Sequence, residues 1–545
     1  MSYCRATERN GSSPTPNNIN NLLKLSFVLL LLLFLSNGCV RNSASVSDTA
    51  PISSGQPAES VKPLALNLNR TLANDLDQLL NSPEYSQARW GVSVVSLKDN
   101  KLIYDHNGDQ LFTPASNMKV YTTAVALDLL GADYRWRTSV YSDSQPDTSG
   151  TIHGDLVLYG RGAPDLVASN KNDNTNSIEE LAKAVTARGV RHVEGSVVGD
   201  ESFFRGDSTG EGWQWNDLQW YFGAEASALS VNANSIDVNI TTATKLNEQP
   251  KVVSTDVDGY VQITNNLATV ERGEPIKIGV KRGLSDNNVV VWGQYPIGAR
   301  GYGASLAVHR PSLWAAKILQ RELKAQGIRV DGDAKFRDAR VPERDRFNPD
   351  GKVELASTIS KPLAEVVKET NKFSVNLYAE LLLRTLGRER AAMLNTDSIP
   401  GREFGDDERG VDLIRLWLSK QGIKTSGLAL RDGCGLSRLN LVTPQATTEL
   451  LVAIRKTNSA RVFVESLPIA GVDGTLQGRL KDTKGAVVAK TGSLSYDHSL
   501  SGYLTSSKGE ILAFSIICND FLGGEDAIKL IDQLVRTMAA HENSQ

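Results

Sequence analysis

Cysteine is nearly absent from this chain, with four in 545 residues. Cys4 and Cys39 fall in the N-terminal stretch, which leaves Cys434 and Cys518 in the body. A disulfide framework is thereby excluded, although one bridge stays open. Histidine is almost as scarce: there are six, and none stands in an HExxH, a Cys-rich cluster or another metal-ligand spacing. A zinc hydrolase is therefore not expected, and no metal or other cofactor is implied. An excess of charge of one sign is also missing. A net charge of -3 gives no reason to propose a nucleic-acid partner. With 40% hydrophobic and 22% charged residues the body is ordinary for a soluble globular protein, and its length suits about three domains of roughly 150 residues.

Long hydrophobic runs are absent but for one. Leu25 to Leu35 is apolar and short for a membrane span, and Arg5, Arg9 and Lys24 precede it. It reads as an export signal within residues 1–40. The run ends at Ser36-Asn37-Gly38-Cys39, which resembles a bacterial lipoprotein cleavage site except that Ser36 stands where Leu is usual. Acylation of Cys39, ordinary cleavage nearby and an uncleaved anchor all stay open. Residues 41–71 are rich in Ser, Ala, Pro and Thr without a hydrophobic period, so a flexible linker is expected there.

The body begins with a helix over Leu72 to Leu80, and then Trp90–Leu97 and Leu102–Tyr104 alternate about a turn as a β-hairpin. A helix that ends at glycine and leads into a short strand recurs at 181–195, 319–332 and 416–427; the irregular spacing argues for a reused connection rather than a repeat array. From about 225 to 300 short β-prone segments are punctuated by Gly and Asn. Just upstream, Trp213, Trp215, Trp220 and Tyr221 crowd together. Packing at a domain junction is the first reading of that cluster, and a glycan-stacking surface is the second. Arg388 to Gly410 reads as a polar surface loop.

Three short motifs carry chemistry. Ser116-Asn117-Met118-Lys119 follows Pro114 at the head of an apolar run that ends at Gly131, so the serine and lysine share one helix face. Ser374-Val375-Asn376 lies between two helical stretches, Leu363–Thr370 and Leu377–Leu386. Lys490-Thr491-Gly492 closes the strand-like Ala486–Ala489. Each alone reads as a cap or a strand end. In this order they match the penicillin-recognising serine enzymes, whose middle motif is Ser-Asp-Asn. Acyl transfer needs a nucleophile, a proton path, oxyanion donors and a grip on the substrate. Ser116 would attack, and Lys119 would take its proton, made less basic by the charge of Lys490. Ser374 would protonate the departing amine, and Asn376 would hold a substrate amide. Lys490 and Thr491 suit a terminal carboxylate, Gly492 lets a substrate strand approach, and the N–H groups of Ser116 and Ser493 would bind the oxyanion.

Within that superfamily, residues 72–540 resemble the low-molecular-mass class C penicillin-binding proteins, peptidase family S13. The resemblance rests on Pro114-Ala-Ser-Asn-Met-Lys119, Asn371-Lys-Phe-Ser-Val-Asn-Leu-Tyr-Ala-Glu380, Asp432-Gly-Cys-Gly-Leu-Ser-Arg438 with Asn440, Leu467-Pro-Ile-Ala-Gly-Val-Asp-Gly-Thr-Leu476 and Lys490-Thr-Gly492. It implies an α/β (α+β) fold: a penicillin-binding, serine β-lactamase-like transpeptidase core, an antiparallel sheet flanked by helices, interrupted by two nested insertions. The expected limits are 72–138 and 345–545 for the catalytic part, 139–224 and 301–344 for an inserted α/β domain, and 225–300 for a nested β-rich domain. The implied activity is that of a serine D-Ala-D-Ala carboxypeptidase or endopeptidase on peptidoglycan stem peptides, exported to the periplasm or cell envelope and acylated by β-lactams. The alternatives are a β-lactamase or esterase, and a silent wall-binding scaffold. Two departures stand out. Val375 replaces the usual Asp or Asn of the middle motif. Gly160-Arg-Gly-Ala-Pro164 replaces Gly-x-Gly-Asp-Pro, so an acidic contact to the substrate side chain is lost at Ala163 or moved to Asp165. Cys434 replaces a usual Ser and reads as a small buried residue without a catalytic role.

Overall fold

The computed structural model describes residues 71–168, 176–394, 405–483 and 485–541. The expected export signal, Cys39 and the expected linker up to residue 70 lie outside these residues. No helix among them is long and apolar enough to cross a membrane.

The catalytic motifs are organised by a five-stranded antiparallel sheet. Its order is Val487–Leu494, Asp497–Thr505, Ile511–Asn519, Arg89–Ser96 and Leu102–His106, which brings the two ends of the chain together. One face carries Trp90, Val92, Phe514 and Ile516, and the helices Leu72–Leu80 and Gly524–Ala540 close over it with Leu76, Leu530 and Leu534. The other face receives the helical layer. There Met118–Leu130 runs through the centre and is buried on every side from Met118 to Leu127. A helix surrounded in this way needs no amphipathic stripe, which is why its sequence is apolar with small residues throughout. It ends at Gly131, whose φ of 90° suits glycine. The helices Leu363–Phe373, Asn376–Glu389, Asp406–Lys420 and Pro444–Ile454 pack around it.

Arg388 to Gly410 is not one loop. Its two ends are helical, because Asn376–Glu389 extends past Arg388 and Asp406 begins the next helix, while 395–404 lie outside the described residues. Asp406 is buried there and accepts the Arg205 N–H at 2.8 Å.

The sequence between Met118–Leu130 and Leu363–Phe373 forms a second five-stranded sheet, ordered Lys335–Arg337, Val197–Asp200, Leu156–Tyr159, Arg137–Ser142 and Val353–Ile359. Its partners are the helices Ser177–Ala187 and Pro311–Ala325. Two of the recurring helix-to-strand phrases sit side by side in this region, with Arg329–Val330 pairing parallel to His192–Val193. The third, after Gly422, leads only to an isolated bridge from Ala429 to Leu441. The β-rich region forms two three-stranded sheets between Ser235 and Ala307. Sheet pairing runs across two expected limits: Val353–Ile359 joins Arg137–Ser142, and Tyr302–Ala307 joins Ser235–Thr241.

Candidate active site

A 3-10 turn, Ala115–Asn117, delivers Ser116 to the mouth of the central helix. The turn is held against the edge strand of the catalytic sheet. Ser499 Oγ donates to the Pro114 carbonyl at 2.7 Å and in turn accepts from the Asn117 amide. Gly492 belongs to the same contact. A Cβ there would lie 2.2 Å from Ser499 Oγ and 2.7 Å from the Pro114 carbonyl oxygen. The missing side chain of Gly492 therefore makes room for the Ser116 turn. Lys490-Thr491-Gly492 also lies inside its strand, Val487–Leu494, rather than at its end.

Lys119 is fully buried one helical turn from the serine. Its Nζ lies 3.0 Å from Ser116 Oγ, 2.7 Å from Asn376 Oδ1 and 2.8 Å from the Cys434 carbonyl oxygen. The last two can only accept hydrogen bonds, whereas the hydroxyl can also donate. A neutral amine has two hydrogens and one lone pair. With both hydrogens given to Asn376 and Cys434, the lone pair faces Ser116.

Ser374 reaches the site because the chain turns sharply between two helices. It has φ 58° and ψ 40° at the end of Leu363–Phe373, and Asn376 starts the next helix. Lys490 Nζ lies 2.9 Å from Ser374 Oγ. Both ends of the Asn376 amide are taken, since Nδ2 donates to the Phe222 carbonyl at 2.8 Å while Oδ1 accepts from Lys119. Nδ2 carries a second hydrogen, which is the one a substrate carbonyl would meet. Val375 is half-buried and leaves both neighbouring side chains in place. Thr491 Oγ1 meets Thr475 Oγ1 at 2.8 Å, in a loop that Lys372 fixes by an ion pair to Asp473 at 2.6 Å. Ser493 is half-buried on the same edge strand. Such an edge carries backbone N–H and C=O groups without a sheet partner.

Burial holds both lysine amines below the ordinary range. For Lys119 the negative potential of Asp432 and Glu380 works against that shift. Lys490 has no such relief and faces the charge of Lys119 as well, so it falls further. The two amines disfavour each other's charge, so the expected push from Lys490 onto Lys119 acts in both directions.

Beneath Lys119 lies a group of buried polar residues, Glu380, Asp432 and Cys434. Glu380 Oε1 accepts the N–H groups of Gly433 and Cys434 at 2.7 and 2.9 Å. Asp432 accepts from Gly435, Ser437, Asn440 and Trp213. These donors also occupy the oxygens of Glu380 and Asp432, which with the Cys434 sulfur form a ligand-like cluster. Cys434 is fully buried, and its thiol is pushed well up by burial. It is a free thiol, as is Cys518.

The family model for D-Ala-D-Ala carboxypeptidase 3 (S13) matches residues 72–541. The chain belongs to this S13 family. A D-alanyl-D-alanine carboxypeptidase of Actinomadura sp. (strain R39) is 33% identical over 472 residues, covering 83% of this chain and 81% of the relative. The D-alanyl-D-alanine carboxypeptidase DacB of Haemophilus influenzae is 30% identical over 475 residues, covering 85% and 90%. The crystal structure of penicillin binding protein 4 (dacB) from Haemophilus influenzae superposes with a TM-score of 0.69 at 28% identity, covering 82% of this chain and 92% of that one. A second structure of that protein, complexed with a novel β-lactam, gives 0.66 at 26% identity, covering 86% and 99%. The fold is accordingly that of the penicillin-binding enzymes.

In this S13 chain Ala163 is buried and bridges to Leu229. Asp165 Oδ2 accepts the Lys361 N–H at 2.7 Å, and burial raises its pKa. Both residues are therefore engaged in packing the inserted sheet against the helical layer. The tryptophan cluster divides. Trp213 Nε1 donates to Asp432 at 2.9 Å and joins the junction, whereas Trp215 stays 65% exposed with Lys281 above its ring.

Proposed function

We propose that this chain is an exported serine D-Ala-D-Ala carboxypeptidase or endopeptidase that acts on peptidoglycan stem peptides and is acylated by β-lactams at Ser116. The observation that carries the reading is the arrangement at Lys119 Nζ, where two obligate acceptors leave the lone pair for the Ser116 hydroxyl. Ser116 Oγ attacks the penultimate D-alanine carbonyl as its proton passes to Lys119. The N–H groups of Ser116 and Ser493 take the oxyanion. Lys490 and Thr491 bind the terminal carboxylate. That added negative charge favours protonated Lys490, which in turn keeps Lys119 neutral. As the C–N bond breaks, Ser374 hands its proton to the leaving amine and regains one from Lys490. Water then attacks the acyl-serine, its proton passing through Ser374 to Lys490 while Lys119 returns one to the Ser116 oxygen, and the shortened peptide is released. Asn376 orients Lys119 in this scheme.

The catalytic part is assembled from the stretches before and after an insertion, as the shared sheet supports. The insertion carries the β-rich region within it, and the pairings to Val353–Ile359 and Tyr302–Ala307 extend it to about residue 359 and its nested part to about residue 307.

The test is incubation with labelled penicillin, mapping of the modified residue and measurement of its release, beside release of D-alanine from a stem pentapeptide. Slow-release labelling of Ser116 together with D-alanine release is expected. Labelling elsewhere, or rapid repeated turnover of penicillin without D-alanine release, contradicts the reading.

A further inference from the structure

We propose that Glu380 is a positioning residue for acylation: it holds the Gly433–Cys434 backbone so that the Cys434 carbonyl aims the Lys119 amine at Ser116. This inference rests on the reading of Lys119 as the base.

Glu380 points inward from the helix Asn376–Glu389 and has no exposed surface. A buried carboxylate is costly unless its oxygens are fully engaged. Here Oε1 takes two backbone N–H groups from adjacent residues, Gly433 at 2.7 Å and Cys434 at 2.9 Å. Two bonds to one oxygen fix the peptide plane between them, and the next carbonyl, that of Cys434, then points to Lys119 Nζ at 2.8 Å. The turn has little freedom to find this orientation otherwise. Thr122 Oγ1 donates to the Gly433 carbonyl at 2.8 Å, and a Cβ on Gly435, which has φ 83°, would lie 1.8 Å from the Ala115 carbonyl oxygen. The second oxygen, Oε2, faces Arg384 Nη1 at 3.3 Å, and the guanidinium is braced by the Asp207 carbonyl at 2.7 Å and by Asp407 at 3.5 Å. Asp207 belongs to the inserted region, so the chain of contacts runs from there to the proton acceptor.

The charged groups around the amine come from every neighbouring element. Glu380 and Arg384 lie on one helix, Asp432 and the Cys434 thiol on the turn, and Lys490 on the sheet. Glu380 contributes negative potential above its raised pKa of about 7 and resists deprotonation of Lys119 there. Position and charge can be separated by two variants. Glu380→Gln keeps an oxygen at the same reach and removes the charge. Glu380→Asp keeps the charge and withdraws the oxygen by one methylene.

The experiment measures the acylation rate constant and the noncovalent dissociation constant for labelled penicillin on the full folded chain, from pH 5 to 10, with the folded fraction counted by circular dichroism. E380D is expected to lower the rate constant about 30-fold and E380Q about threefold, with the dissociation constant moved less than twofold in both. The acid limb of E380Q should move to lower pH, because the amine loses a negative neighbour. A larger loss in E380Q than in E380D, equal rates in both variants and wild type, or an unmoved limb in E380Q overturns the proposal. Wild-type protein that acylates at Ser116 while the variants follow the wrong order rejects Glu380 alone. Failure of the wild type to acylate at Ser116 rejects the underlying reading of Lys119.

Discussion

The two buried lysines of the site differ in what surrounds them. Lys119 stands on a floor made of helix and turn, with two carbonyl oxygens and a hydroxyl as partners and with Asp432 and Glu380 nearby. Lys490 stands on the wall made by the sheet, with Ser374 and its own chain's Thr491 carbonyl as partners and no carboxylate to relieve it. Burial depresses both, yet only the floor fixes an amine in all directions. The lesson is that a base is made by orientation as much as by a lowered pKa, while a carboxylate-binding cation needs room to respond to its ligand.

The largest effect that bears on this contrast belongs to Ser116, the proposed nucleophile. Ser116→Ala should cut D-alanine release about a thousandfold or more and abolish penicillin labelling without altering the circular dichroism spectrum. Next, the two lysines should respond differently to arginine, which stays protonated and forks its donors. Lys119→Arg is expected to lose about a thousandfold in acylation rate, because no lone pair remains for Ser116. Lys490→Arg should lose less, about a hundredfold, because a cation still meets the carboxylate although arginine cannot return a proton to Ser374. Equal losses would break the contrast.

A smaller effect probes the joint between wall and floor. Gly492→Ala places a methyl 2.7 Å from the Pro114 carbonyl oxygen, so the Ser116 turn must shift. A loss of about 1–3 kcal/mol in stability is expected, read as a lower Tm. The smallest concerns His498, which is buried beside Ser493 and whose pKa burial pushes down to about 4. The folded chain keeps this ring neutral, while the unfolded chain protonates it below about 6.5. Its contribution to stability is present above the unfolded value and is lost as pH falls from there towards about 4. His498→Gln should flatten that part of the Tm profile, and an unchanged slope would show that the loss arises elsewhere.

Much of the site was legible in the chain. Ser116, Lys119, Ser374, Asn376 and Lys490 carry reactive groups in short motifs, and the structure joins them in two hydrogen-bonded groups, Ser116 and Asn376 on Lys119 and Ser374 on Lys490. The terminal hairpin and the buried helix followed from alternation and from an apolar run that ends at glycine. What stayed hidden are pairings between distant segments. Nothing local in the sequence says that Glu380 will bind a turn more than fifty residues away, that Phe222 will hold Asn376, or that Gly492 is needed by Pro114. Buried polar groups find their partners through tertiary packing, and no periodicity marks them. Glu380 nevertheless left a trace, since an ionisable residue on the buried face of a helix demands a partner. The strand Val353–Ile359 was missed for a related reason. An outer strand of a sheet, partly exposed, shows too little alternation to reveal which sheet it joins.

The central claim is that Lys119 meets Ser116 as a neutral amine. The most direct measurement is the pH dependence of Ser116 acylation by labelled penicillin, with the modified peptide identified at each pH. The rate should rise along a single limb whose midpoint lies below the ordinary lysine range, and that limb should vanish in Lys119→Arg. A limb at the ordinary lysine range, or one that survives in Lys119→Arg, would contradict the account.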